Sequence, residues 1–464
     1  MNAFLFRMTK AVALGIVLAA IPAPAGAQPP APAPAPATAR AGQPGSGDDP
    51  VLQALIAEAL ANNPDIATAR AAITAAHTWP GQIQTRPAPM VSVTYTNDGW
   101  APTLGSMQMT TLGFMVSQLL TRSGTERARL DLAAKQSHLA EPVLDRVRLS
   151  ITASVKRAYY GLLLARELLT LTDEQRELWR QIEVVTRARY AAGQGAQQDV
   201  LRVQVEVTRV EQRAIEQSTE KELRLAELNR LLARPATSRL EPAGRLSVHA
   251  LTQPLAAVLD AARSISPELA QARLAVEADV SSLDLARVNF KPEFTIQGGY
   301  MNRGGLSPMW LAGMGVSWPK NKSTRDAAVA ESQSRVDGSR KSIDAIDLQL
   351  RLRTQERFAR ATMAERIMTL YDQGIVPQDR MAVESAMTSY ESGRIPFVSV
   401  LEAMSTLYAD RWTRETQAAA HEALLASLEE ASLDGSPDMF TVPAMPAPQG
   451  AGGSAAMTGG MGGR

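Results

Sequence analysis

The spacing of hydrophobic positions changes twice within each half of the chain. From Asp48 to about Gln84 the apolar residues Leu52, Leu55, Ile56, Ala59 and Leu60 fall on one helical stripe, and Pro64 is placed to open a second helix. The period then drops to two. Val91, Val93 and Tyr95 alternate with Ser92, Thr94 and Thr96, which predicts a strand with one apolar and one polar face. Past Asn97, Asp98, Gly99 and Pro102, a second strand places Leu112, Phe114 and Val116 against Gly113, Met115 and Ser117. The helical period resumes from about Ser123 to Arg189, turns over Tyr190 to Gln198, and returns to end near Leu232. Unbroken, that outward stretch would extend roughly 100 Å, beyond the needs of a globular domain and suited to coiled-coil-like packing. Pro142 predicts a kink or break in it.

The second half repeats the plan. Asn63 to Arg70 aligns with Ser266 to Arg273 at an offset of 203, and Gly113 to Ser117 with Gly313 to Ser317 at 200. The same offset of 200 relates Tyr190-Ala191-Ala192-Gly193 to Tyr390-Glu391-Ser392-Gly393. Three anchors in one order at nearly constant spacing indicate duplication. The second hairpin sets Phe294, Ile296 and Tyr300 against Thr295 and Gln297, then Met314, Val316 and Trp318 against Gly313, Gly315 and Ser317. Its long helix runs from about Ser323 to Ser389, with Gly374 and Pro377 marking a break, and its return helix ends near Leu433. The expected class is therefore mainly α with a small β part, built from a duplicated helix, β-hairpin and long-helix unit.

One apolar face, glycine on the other, and aromatics at Tyr95, Trp100, Trp310 and Trp318 suit the wall of a transmembrane β-barrel. The same alternation suits a soluble two-layer sheet packed on the helices. Four strands cannot close a barrel, since membrane barrels start at about eight strands, and lipid does not tolerate an open edge. If the strands span a membrane, the chain must oligomerise, and three copies of four strands would supply twelve.

The flanks bound the folded part. Arg7 and Lys10, the apolar run Ala11 to Ile21, and Ala25-Gly26-Ala27 have the order of a secretory signal peptide over residues 1–27. Residues 28–47 read as a Pro/Ala-rich disordered leader and residues 435–464 as a Gly/Met-rich disordered tail, leaving repeats at 48–240 and 241–434. The chain has no cysteine, so it carries no disulfide, no thiolate metal site and no residue for a lipoprotein anchor. A formal net charge of +1, with Lys and Arg spread among Asp and Glu, gives no attraction to nucleic acid. No segment after the leader offers the roughly 18 uninterrupted apolar residues of a transmembrane helix, which leaves a soluble fold or a β-barrel.

Over nearly the whole region after the leader, the sequence resembles the TolC-like outer-membrane efflux protein family. The resemblance lies in the doubled plan and in two words, Tyr190 to Gly193 through Asp199-Val200-Leu201 and Tyr390 to Gly393 through Val398 to Glu402. It implies a homotrimer whose twelve-stranded barrel in outer-membrane lipid continues as a long α-helical tunnel through the periplasm. It also implies docking onto a periplasmic adaptor that couples the duct to an inner-membrane pump. The docking tips would be Gly193, Gln194 and Gly195 with Gly393, Arg394 and Ile395, where glycine also serves ordinary helix-turn chemistry. In the family a tyrosine to aspartate contact holds the periplasmic entrance, and Tyr390 and Asp199 take those positions. Acidic rings narrow that entrance; Glu402 matches one acidic position, Ser399 replaces the other, and Ile395 stands where some members place an arginine.

Catalytic chemistry has little footing. His77, His138, His249 and His421 are isolated, and no HExxH, GxSxG or GxxxxGK[ST] motif occurs, so no catalytic residue, cofactor or metal centre is expected. Met439, Met445, Met457 and Met461 in the tail, with Met107, Met109, Met301 and Met309 near the hairpin loops, offer soft thioethers suited to Cu(I) or Ag(I). With Ile375-Val376-Pro377, which is similar to the metal-exporting branch of the family, they make heavy-metal resistance one expected role beside export of other toxic compounds. A periplasmic coiled-coil scaffold or a type I protein-secretion exit duct are the alternatives.

Overall fold

The computed structural model describes residues 49–83, 87–97, 100, 110–120, 123–240, 245–303, 306–317 and 321–433. The expected signal peptide, leader and tail lie outside these residues, as do Asp98, Gly99, Pro102, Met107, Met109 and Trp318. The first repeat runs through α1 (Pro50–Asn62), α2 (Pro64–His77), α3 (Trp79–Gln82), β1 (Met90–Thr96), β2 (Thr111–Leu120), α4 (Ser123–His138), α5 (Glu141–Ala191) and α6 (Gln197–Leu231). The second follows as α7 (Leu255–Ile265), α8 (Pro267–Val288), β3 (Glu293–Arg303), β4 (Leu306–Ser317), α9 (Lys322–Leu370), a π-helical turn (Tyr371–Ile375), α10 (Val376–Glu391) and α11 (Phe397–Glu430).

The prolines act where the sequence placed them. Pro64 and Pro267 open α2 and α8, where a missing N–H costs nothing, and Asn63 and Ser266 cap those helices. Pro142 sits in the first turn of α5, so the first long stretch is two helices divided after His138. In the second stretch a π turn containing Gly374 absorbs the break, and Pro377 falls in the first turn of α10. The 51 residues of α5 still extend roughly 75 Å.

The core runs between the long helices and reaches the second helix-turn tip. Every residue of α5 from Ala158 to Ala165 is buried, because α1 and α2 cover one side and α11 another. α11 is likewise buried from Ala418 to Leu428. An apolar stripe on one side only would leave such segments half exposed; burial all round requires neighbours on every side. Charges enter this core in pairs. Lys156 of α5 bonds Glu429, Arg157 bonds Glu430 at 2.9 Å, and Glu422 accepts from the His249 backbone N–H at 2.7 Å. Lys156 and Arg157 offset the desolvation of their carboxylate partners, and the backbone N–H does so for Glu422.

The strands form one antiparallel sheet in the order β1-β2-β3-β4. The two hairpins are joined side by side through β2 and β3, with Phe114 opposite Tyr300 and Val116 opposite Gly298. β1 and β4 remain as edges.

Candidate functional site

Two regions carry the candidate chemistry: the helix-turn tips at one end and the sheet at the other. Both tips use the same turn. Gly193 and Gly393 have φ of 71° and 75°, the left-handed region that glycine enters without steric cost. In the first tip, Gly193 N–H donates to Tyr190 O at 3.0 Å and Gln194 N–H to Arg189 O at 2.9 Å. In the second, Gly393 N–H donates to Tyr390 O at 2.9 Å and Arg394 N–H to Ser389 O at 2.9 Å. This paired closure satisfies the last carbonyls of α5 and α10. The return helices then start at equivalent points, with Asp199 and Ser399 each bonding through N–H to the carbonyl three residues back, in Ala196 and Pro396.

The surroundings of the two turns differ. Tyr190 is 48% exposed, whereas its counterpart Tyr390 is 4% exposed. Tyr390 packs edge-on against Phe397 at 5.5 Å between centroids, and Phe397 against Trp179 of α5 at 6.5 Å. Arg189 lies over the Tyr390 ring at 4.6 Å, donates to the Tyr390 carbonyl, and donates to the Gln194 carbonyl at 3.3 Å. One guanidinium therefore ties both tips together.

Of the residues matched to the entrance, Asp199 and Ser399 are half-buried in the first turns of α6 and α11, and Glu402 is exposed. Among the described residues the Tyr390 hydroxyl has no hydrogen-bond partner, and its ring faces Arg189 and Phe397. Gln194, Arg394, Gly193 and Gly393 are exposed and Gly195 is half-buried, while Ile395 packs against the cluster that holds Phe397. Sequence reasoning passed over Arg189, Phe397 and a carboxyl pair, Asp379 of α10 with Asp410 of α11. Burial, then the hydrogen bond and charge of Asp410, push Asp379 up to about 6. The offset of 200 holds a signal for them: Phe397 replaces Gln197, Arg189 stands against Ser389, and Asp379 and Asp410 stand against the buried Trp179 and Val210.

At the other end, Val91, Val93, Phe114, Ile296, Met314 and Val316 are exposed apolar side chains on one face of the sheet. The register aligns Val93, Phe114, Tyr300 and Trp310 in one row, and the last two rings meet at 5.0 Å. Trp310 is thus part of an aromatic row within the sheet rather than at its rim, and Trp100 is fully exposed beyond β1. Contiguous exposed apolar surface of this kind marks an interaction site for a protein or a membrane. Among the described residues no helix is long and apolar enough to cross a membrane, and no group of three or more His, Asp or Glu could hold a metal ion.

Residues 55–234 match the outer membrane efflux protein family. That stretch covers most of the first repeat. No curated protein matches the chain. Solved structures similar to it are outer-membrane channels. The channel OprN matches with a TM-score of 0.69 at 18% identity, over 83% of this chain and 90% of that one. The outer membrane protein VceC of Vibrio cholerae matches with a TM-score of 0.67 at 18% identity, over 82% and 96%. The open state of the MtrE channel of Neisseria gonorrhoeae matches with a TM-score of 0.67 at 17% identity, over 82% and 88%. The resemblance to TolC-like efflux proteins therefore holds in sequence over the first repeat and in fold over most of the chain. The family and these neighbours are channels, not enzymes.

Proposed function

We propose that the chain is the outer-membrane exit duct of a tripartite efflux system, working as a homotrimer with a periplasmic adaptor and an inner-membrane pump. One observation carries this reading: a four-stranded sheet with an exposed apolar face and two unpaired edges stands on helices tens of ångströms long. Unpaired edges in lipid would leave N–H and C=O groups without partners, so β4 of one copy pairs with β1 of the next until twelve strands close. The apolar face then meets outer-membrane lipid and the helices continue the duct into the periplasm. Exposed Val184, Leu201, Val205, Leu348 and Leu352 give the helices apolar surface for packing against the other two copies. The tips, with Gly193, Gln194, Gly195, Gly393, Arg394 and Ile395, take the adaptor. Asp199, Tyr390, Ser399 and Glu402 belong to the entrance, where three Glu402 carboxylates around one axis attract cations. The cargo, toxic organic compounds or metal ions, is chosen upstream by the pump.

Fractionation tests the reading. The protein is expected in the outer-membrane fraction, released only by detergent; recovery in the soluble periplasm without detergent overturns it.

A further inference from the structure

The face of the sheet opposite the apolar band carries one methionine from each strand. Residues paired in register share a face. Ser92 opposite Met115, Gly113 opposite Met301 and Met301 opposite Met309 put these methionines on one face, with Met90 two residues before Ser92. From β1 to β3 the row advances by two residues at each strand, so Met90, Met115 and Met301 form a diagonal, and Met309 of β4 lies directly opposite Met301. Adjacent members are on the order of 5–8 Å apart at the backbone.

Glycines leave room for these side chains. A Cβ on Gly113 would stand 3.1 Å from Met301 Cγ, so the methionine lies over the glycine. A Cβ on Gly299 would stand 3.4 Å from Met115 Cβ. Beside Met309, β4 bulges: Ser307 and Pro308 both fall between the pairs Arg303–Leu306 and Met301–Met309.

Core packing does not account for them. Met90 and Met309 are 68% and 42% exposed, Met115 and Met301 are half-buried, and the face is otherwise mixed, with Ser92, Thr94, Thr295 and Gln297 beside Leu119 and Leu311. The opposite face, which needs apolar bulk, uses branched and aromatic residues with Met314 as its only described strand methionine.

We propose that this methionine diagonal binds a soft monovalent cation, Cu(I) or Ag(I), on the inner wall of the duct. The proposal rests on the exit-duct reading, which turns this face towards the water-filled interior. Thioethers are uncharged, soft donors: they coordinate soft cations and give little to Zn(II), Mg(II) or alkali ions. Several weak sites in succession suit conduction, which needs binding strong enough to admit an ion and weak enough to release it.

The test uses the full chain, purified in detergent and titrated calorimetrically with silver nitrate in chloride-free buffer. Wild type is expected to bind Ag(I), and the M90L/M115L/M301L/M309L variant to bind at least about tenfold more weakly. Leucine conserves volume, and every methionine outside the sheet is present in both proteins. If the quadruple variant fails to assemble, M301L/M309L, which removes only the directly opposed pair, is expected to show an intermediate loss. Zn(II) is expected to distinguish neither variant from wild type. Equal Ag(I) binding by wild type and an assembled variant overturns the proposal. Conductance across lipid bilayers, measured on the same preparations, separates this outcome from failure of the duct: normal conductance with unchanged Ag(I) binding sinks the cation site alone, and absent conductance sinks the duct reading.

Discussion

The α5–α6 and α10–α11 hairpins close with the same turn and are held in different ways. Each has a glycine near φ of 70–75° and the same paired hydrogen bonds. Yet Tyr190 stands in solvent, while Tyr390 is buried among Arg189, Phe397 and, beyond it, Trp179. A glycine word fixes the direction in which a chain reverses; the residues flanking it decide whether the reversal is anchored. The second tip is anchored on α5, and the first stands exposed.

The largest break in that comparison comes from Phe397→Ala, which empties a fully buried aromatic site. It should cost about 3–5 kcal/mol, read as a lower Tm of the helical circular dichroism signal. Gln197→Ala at the equivalent, exposed position should change Tm by less than the error of the melt. Next comes Arg189→Met, which keeps the stem and removes both carbonyl contacts. It should cost about 1–3 kcal/mol and speed amide exchange over residues 392–396 more than over the rest of α11. Gly193→Ala and Gly393→Ala sharpen the comparison, because the turn is shared. Each should cost about 1–2 kcal/mol in melts, and by similar amounts, since the left-handed strain is the same. A cost confined to one tip would show that the turns are not equivalent.

The smallest effect concerns Asp379. Its folded-state value, pushed up to about 6, lies above the unfolded one, so between about pH 4 and 6 the folded chain keeps a proton that the unfolded chain has lost. Stability contributed by this group is full at the acid end and falls as pH rises through that window. Asp379→Asn should therefore raise Tm at pH 7.5 and leave it unchanged near pH 4. Equal shifts at both pH values would remove the account of Asp379 as a carboxyl raised by burial and by Asp410.

Periodicity made most of the fold legible. Alternation at Val91, Val93 and Tyr95 announced β1, and the long 3.6-residue pattern announced α5 and α9, because each element buries or exposes one face along its own length. The joining of the two hairpins through β2 and β3 was not legible, since partner choice between strands leaves no period within either one. Pro142 and Pro377 marked their breaks, but a proline states only that a helix must yield. Gly374 and its neighbours yield by a π turn, whereas the chain before Pro142 ends one helix and starts another. At the tips the glycines were readable and the anchor was not. Arg189 reaches a carbonyl 201 positions away, and contacts at that separation follow from packing rather than from local pattern.

The central claim is that this sheet closes only with sheets from other copies. Native mass spectrometry of the protein extracted from the outer membrane in detergent tests it directly. The account predicts an assembly of three chains, with no stable monomer until the detergent denatures the helices. A folded, monodisperse single chain under those conditions would contradict it.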